Sequence, residues 1–395
     1  MQPQKLAFSP IALDAFVGLV GEAAWDARIA EIAVRAASGP RVGQTIRQRH
    51  GLELAIERLR GTLARPPSAA EQRAAQLADE AVTLHSRLGS RGKARLLKRL
   101  GLALSGANTL VPLFHVLWTA RLQRGRGFDV AFAGMEAGTA HDLLISCGTY
   151  HAEVACDVVS AEEGRLVHRA AWSHLMDMVE GALRKWLAAN PGRYLFKITL
   201  REALRSDGND AVTAVHQRIR HLLATSRRYD DELTGLRLEP LSVAQQTDER
   251  SLLASLRQEF GPEAHLAVIT SGTSLLAVAA RSGRIDEVGV AVRQRLTDIA
   301  PTRLTGARPG ILAMFLEDTD RGEWRGLRER LELEGETRQF LAGRAARRVI
   351  AVTCASRFEL FGAPDAAEDG ELRFRNPAHP AARCAALAPA VLSSV

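Results

Sequence analysis

Three carboxylates, Asp142, Glu153 and Asp157, fall within one short window of the chain. The run Tyr150 to Ser160 alternates like a strand, so its side chains point to opposite faces with period two. Val154, Cys156 and Val158 take an apolar face; Glu153, Ala155 and Asp157 take the other, and Asp142 belongs to the neighbouring strand. The three acids are expected to converge on one sheet face at the open end of a hairpin. Oxygen ligands of that kind, kept partly hydrated, suit a Mg2+ ion used in phosphodiester cleavage.

A second chemistry lies in the basic residues. Residues 41–126 hold 16 Lys/Arg against 5 Asp/Glu, whereas the whole 395-residue chain has a net charge of only +7. One segment therefore carries all the excess positive charge, as a surface facing phosphate would. Lys93, Arg95, Lys98 and Arg99 sit on one basic helix of this segment. Arg165, His168 and Arg169 open a later helix, whose free amides and dipole favour an anion. These seven residues are the expected nucleic-acid contacts. The competing reading pairs Arg165 with Glu162 or Glu163 in a salt bridge.

The elements that must position these groups are legible from periodicity and punctuation. Ser9-Pro10 opens a helix that Gly39-Pro40 stops; a second runs from Val42 to Ala64 and ends at Arg65-Pro66-Pro67. Ser68 and Glu71 form a capping box for a helix reaching Leu88. Helices over Lys93–Arg99 and Leu110–Gln123 complete an all-helical, basic module over 1–125. Beyond it the pattern predicts a helix over Phe128–Glu136, strands His141–Cys147 and Tyr150–Ser160, a helix Leu166–Ala189, a strand Arg193–Leu200 and a helix Asp210–Ala224. In that core, 126–235, the last strand crosses over beside the hairpin. A C-terminal α/β domain over 236–362 has a helix Asp248–Phe260, strands Leu266–Thr270 and Leu275–Arg281, and a helix Ile285–Ile299. A strand Gly310–Leu316, a helix Glu323–Leu333 and a strand Arg348–Thr353 follow. An extended tail over 363–395 holds one short strand, Glu371–Arg375. Leu-Leu-Ile-Ser-Cys-Gly-Thr near 145 faintly echoes Ala-Val-Ile-Thr-Ser-Gly-Thr near 270. The fold class is α/β with a helical N-terminal module.

With Glu136 on a helix, Asp142 on a first strand and an acid-bearing second strand leading into a long helix, residues 127–225 resemble the PD-(D/E)xK nuclease superfamily. The flank from Val158 through Glu162, Glu163, Arg165 and His168 to Arg169 is similar to the stretch after the metal-binding strand in proteins of that type. The resemblance implies a mixed-sheet nuclease-like core in which Asp142 and Glu153 hold Mg2+ and Asp157 is an outer ligand. The family also places a carboxylate and a lysine two residues apart on the second strand. Those positions here are Ala155 and Asp157, or Glu153 and Ala155 after a two-residue slip, so the motif lysine is missing in either register. Lys197, sharing a strand face with Leu195 and Thr199, is the substitute that could balance charge on an attacked phosphate.

Other motifs carry less. His168 and His174 are six apart and His216 and His221 five apart, and no HExxH occurs, which argues against zinc. Ser271-Gly272-Thr273-Ser274 lacks the nucleophile elbow and reads as a turn. Gly125-Arg126-Gly127 is not a phosphate loop. Trp118, Trp172 and Trp186 lie among apolar neighbours and read as packing. Cys147, Cys156, Cys354 and Cys384 form no CxxC pair, as expected of reduced thiols in a cytoplasmic protein. No leader peptide is visible, and the longest apolar stretch, Thr109–Ala120, is too short to span a membrane.

The leading expectation is therefore a nucleic-acid-associated protein with a degenerate, inactive nuclease-like core. The alternatives are an active Mg2+-dependent DNA endonuclease and a non-enzymatic scaffold. The scaffold would meet a protein partner, or a second copy of the chain, through its N-terminal helices. An exposed basic groove at the acids favours the first reading, and an exposed apolar face on helices 10–64 favours the scaffold.

Overall fold

A computed structural model describes residues 10–61, 65–205, 209–225, 228–241, 249–261, 263–284, 286–364 and 366–394. The chain forms an α/β fold with two mixed sheets. It divides into two compact units, each built from separate stretches of sequence: Met1–Ala33, Arg49–Ala161 and Gly289–Val395 in the first, Val34–Gln48 and Glu162–Val288 in the second. The expected succession of a 1–125 module, a 126–235 core and a 236–362 domain gives way to this arrangement. Its cause is strand pairing, since β3 and β4, defined below, join different sheets.

The first unit has helices α1 (Pro10–Val20), α2 (Glu22–Ala36, which crosses the boundary), α4 (Gly51–Arg60), α5 (Ala69–Arg87), α6 (Ser90–Ala103) and α7 (Val111–Gly125). Then come β1 (Asp129–Ala131), α8 (Ala133–Glu136), β2 (Leu143–Cys147) and β3 (Tyr150–Ser160). After the second unit the chain returns with α12 (Val288–Arg303), β9 (Gly310–Glu317), α13 (Arg321–Glu329), α14 (Glu332–Ala342), β10 (Val349–Ser356), α15 (Arg357–Phe361), β11 (Leu372–Arg375) and α16 (Ala388–Val391). Its sheet has the order β1-β2-β3-β9-β10-β11, with β3, β9 and β10 parallel and the other pairs antiparallel. Every residue of β10, and all of β9 except Glu317, is buried. That matches parallel strands covered on both faces and their largely apolar sequences.

The N-terminal helices share one core with this sheet rather than standing apart. Leu52, Ile56 and Leu59 recur at helical spacing on α4, and Ala74, Ala78 and Ala81 on α5. They join Leu143, Ile145, Val154, Ile311 and Phe315 from the strands. Phe16 packs edge-on against Trp25 and Phe114 at centroid distances of 6.1 and 6.0 Å. Ser68 and Glu71 form the expected capping box, and α5 spans Ala69–Arg87. Burial pushes the Glu71 carboxyl up, but hydrogen bonds from the Ser68 side chain and backbone, with Arg58 and Arg65 beside it, more than offset this and hold it at about 2.

Several expected elements are redrawn. The helix Phe128–Glu136 is a strand followed by a single turn, because Asp129–Ala131 pairs with Leu144–Ser146. The helix Val42–Ala64 is broken into α3 (Pro40–Arg49) and α4 at His50. The helix Glu323–Leu333 is likewise two, divided where Leu331 adopts a left-handed backbone. The tail is not extended: β11 pairs with β10, and Leu387, Ala390 and Val391 are buried. Ser9, residues 62–64, Asp248 and Ile285 lie outside the described residues.

The second unit contains α3, α9 (Arg169–Ala189), β4 (Arg193–Leu200), α10 (Asn209–Thr225), β5 (Arg228–Asp230), β6 (Thr234–Pro240), α11 (Glu249–Phe260), β7 (His265–Ser271) and β8 (Ser274–Ser282). Its sheet order is β5-β6-β4-β8-β7, with β4 and β8 parallel. The echo between residues 145 and 270 marks two equivalent hairpins. Each turns through Gly-Thr, between Cys147 and Tyr150 or Ser271 and Ser274, with Gly148 and Gly272 left-handed at φ 60° and 59°. Among the described residues no helix is long and apolar enough to cross a membrane.

Candidate functional site

The Asp142 region lies in the first unit, where β2 begins. The last β2–β3 pair is Leu143 with Val154, yet β3 runs on to Ser160 with only β9 beside it. Its free edge is completed by side chains. Asp142 Oδ2 accepts the Cys156 amide at 2.9 Å and Arg303 Nη2 at 2.6 Å; Asp142 Oδ1 accepts Arg99 Nη2 at 2.9 Å. Arg303 also donates through Nε to the carbonyl of Ala140 at 2.8 Å. Asp142 is 3% exposed.

The other acids are engaged as well. Glu153 is fully buried, and its two oxygens accept the amide and hydroxyl of Thr305. Asp157 is held by both Nε and Nη2 of Arg295, at 2.7 and 3.2 Å. Asp142 and Asp157 line one cavity, whereas Glu153 points into the Thr305 loop. No group of three or more His, Cys, Asp or Glu side chains among the described residues is placed to hold a metal. Two guanidinium groups occupy the Asp142 oxygens and a loop occupies those of Glu153, so this donor set does not fit Mg2+, which needs free carboxylate oxygens.

Lys197 belongs to the second unit. It lies on β4 in the other sheet, with its ammonium 2.9 Å from Glu239 and above the Phe260 ring. The Arg165 side chain is 2% exposed and bonded to Glu162 at 2.5 Å, as the competing reading expected. Glu162 also accepts the Arg169 amide at 3.0 Å and lies 4.0 Å from His168 Nδ1. The anion at the start of α9 is thus the chain's own carboxylate. On α6, Arg95 donates to the carbonyls of Met135 and Glu136 that end α8, Lys93 is half-buried and Lys98 is exposed.

The cavity has a volume of about 510 Å³. Leu102, Pro112, Leu113, Val116 and Val158 supply apolar wall, and Arg49, Arg99 and Arg303 bring positive charge to it. It opens at the carboxyl ends of parallel β3 and β9, where α/β sheets commonly bind ligands. Glu317, at the end of β9, lines it and accepts the Thr109 hydroxyl at 3.0 Å. Burial raises the Glu317 carboxyl to about 7, helped by the charges of Asp318 and Glu53 and opposed by Arg49 and Thr109. Arg28, 2% exposed, donates to the carbonyls of Gly106 and Asn108 and so fixes the loop that delivers Thr109.

Asp318 follows with φ at 59°, a left-handed conformation uncommon outside glycine. It accepts Ser160 Oγ at 2.6 Å and Arg49 Nη1 at 3.0 Å, which hold that turn in place. Sequence reasoning missed Arg49, Arg295, Arg303, Thr305 and Glu317. Only Glu317 left a local signal, as an acid at the end of the apolar run Ile311–Leu316.

No family model matches this chain, and neither a curated protein nor a solved structure does.

Proposed function

We propose that this protein associates with nucleic acid through phosphate contacts at the arginine-lined cavity and does not cleave it. The observation carrying this reading is the grip of Arg99 and Arg303 on Asp142, in a cavity that Arg49 also lines. Guanidinium groups stand where a cleaving enzyme would need a metal. Arg99 Nη1 and Arg303 Nη1 have donors to spare for a phosphodiester, which suits the planar, multidentate geometry of arginine. The β2–β3 hairpin lies beside a strand parallel to β3, and that strand is β9 and not the expected β4.

The scaffold reading called for an exposed apolar face on helices 10–64. Among their described residues the large apolar side chains are buried or half-buried, and Val34 is the one that is exposed. Four free cysteines, two of them buried, are consistent with a reducing, cytoplasmic setting.

The test is a salt titration of binding to DNA and RNA. Each phosphate contact contributes a slope of about −0.9 for duplex in log K against log salt. Replacing both Arg99 and Arg303 by Ala should weaken binding and flatten that slope. Absence of binding by the wild-type chain at low salt would end the reading.

A further inference from the structure

At the opposite end of the β2–β3 hairpin, the Gly148-Thr149 turn brings out Tyr150. Pairing of Cys147 with Tyr150 closes the turn, and the Tyr150 side chain is left 53% exposed. His151 beside it is exposed too. Both line a groove of about 930 Å³, together with the loop that precedes β9 and the 3-10 turns that precede α16. Arg308 and Arg383 stand exposed in this groove. None of its described lining residues is acidic, and neither arginine has an ion-pair or hydrogen-bond partner among the described residues. The contrast with the Asp142 cavity is direct, since each of the arginines there faces a carboxylate of the chain itself.

We propose that this groove binds an unpaired nucleic-acid strand, stacking a base on Tyr150 and pairing its phosphates with Arg308 and Arg383. The proposal rests on the nucleic-acid reading above and adds to it the form of nucleic acid taken and a second site. Uncompensated guanidinium groups call for an anion. An exposed aromatic ring within the same groove calls for a flat partner, and every base has one. A duplex keeps its bases stacked on one another and offers Tyr150 none. An acidic peptide would answer the arginines and leave the ring without a partner.

The experiment compares the full-length chain with Tyr150→Ala, Tyr150→Trp and the double variant Arg308→Ala/Arg383→Ala. Each is titrated with a fluorescent single-stranded oligonucleotide and its duplex, with polyglutamate as competitor. The wild type should prefer the single strand. Tyr150→Ala should lose about tenfold or more in single-strand affinity and bring the two affinities together, and Tyr150→Trp should keep the preference. The arginine double variant should flatten the single-strand salt slope by roughly 1.4. Single-strand binding by Tyr150→Ala equal to wild type overturns the groove, as does displacement of the strand by polyglutamate at equal charge. Should nucleic-acid binding be lost in Arg99→Ala/Arg303→Ala yet unaffected by every groove variant, the groove fails and the earlier reading stands. Should the wild type bind no nucleic acid at all, both fail.

Discussion

The Asp142 carboxylate accepts the backbone amide of Cys156 at 2.9 Å, and so takes the place of a strand that β2 does not supply. An edge strand exposes unpaired amides and carbonyls, and a buried one must find partners. Asp142 answers the amide, while Arg303 reaches toward the Cys156 carbonyl at 3.4 Å and pairs with Asp142 itself. The acid most suggestive of metal chemistry in the sequence is therefore part of how the sheet ends. Arg99 and Arg303 both bond to it, so its two oxygens serve ion pairs within the chain.

Removing that carboxylate should cost stability. Asp142→Ala leaves the Cys156 amide without its acceptor and two half-buried guanidinium groups facing each other. A buried unsatisfied group costs about 1–3 kcal/mol, and breaking a buried ion pair about 3–5. The expected loss is about 3 kcal/mol in urea unfolding, larger than for Asp157→Ala, whose partner Arg295 is exposed. Equal losses at the two positions would contradict the edge-completing role.

Divalent ions should leave the folded chain unaffected. Mass action stabilises only what binds, and the oxygens of Asp142 and Glu153 already have partners. Millimolar Mg2+ or Mn2+ is expected to produce no shift in melting temperature and no cleavage of linear, circular or single-stranded DNA. A metal-dependent shift that Asp142→Asn abolishes would restore the metal site, and cleavage lost in Asp142→Ala would restore the nuclease.

How far the sequence was legible follows the range of the interactions. Strands β3 and β4 match their expected bounds, and the Ser68–Glu71 box is formed, because alternation and capping act over a few residues. Nothing local reveals that Arg193–Leu200 pairs with Leu275–Ser282 rather than with the β2–β3 hairpin. That choice was decided by β9, an apolar strand from 150 residues further on that fits between β3 and β10. Lys197 went with β4 into the second unit's sheet, where it pairs with Glu239, and Arg303 came to Asp142 from α12. Asp142 and Asp157 line one cavity but Glu153 turns to the Thr305 loop, and none of their partners was foreseen, since a side chain shows its type in sequence and its neighbour only in the fold.

Acid should unfold the helical layer in part through Glu71. Its carboxyl titrates at about 2 in the folded chain against an ordinary value of 4.5. A depressed folded value contributes stability that is present above the unfolded value and lost as pH falls from about 4.5 towards 2. The full contribution is roughly 3 kcal/mol. Glu71→Gln should be destabilised at pH 7 by about that amount, less what its retained hydrogen bonds recover. The two proteins should converge near pH 2. A difference that stays constant across this range would mean that the carboxylate charge contributes nothing.

Glu317 should show the opposite sign. Its carboxyl titrates at about 7 in the folded chain, mainly through burial and then through the neighbouring charge of Asp318. The folded state therefore holds a proton between about pH 4.5 and 7 that the unfolded chain has released. Stability from this group is fully present below 4.5 and is lost as pH rises through 7, by at most roughly 3 kcal/mol. Glu317→Gln keeps an acceptor for the Thr109 hydroxyl and has no charge to bury. Relative to wild type, the variant should gain stability as pH rises from 5 to 8 and then level off. Any change at Thr109 enters as an offset that pH does not alter, so the slope alone tests the claim. Parallel curves for the two proteins over that interval would show that Glu317 ionises without cost and that the cavity floor is wetter than its burial implies.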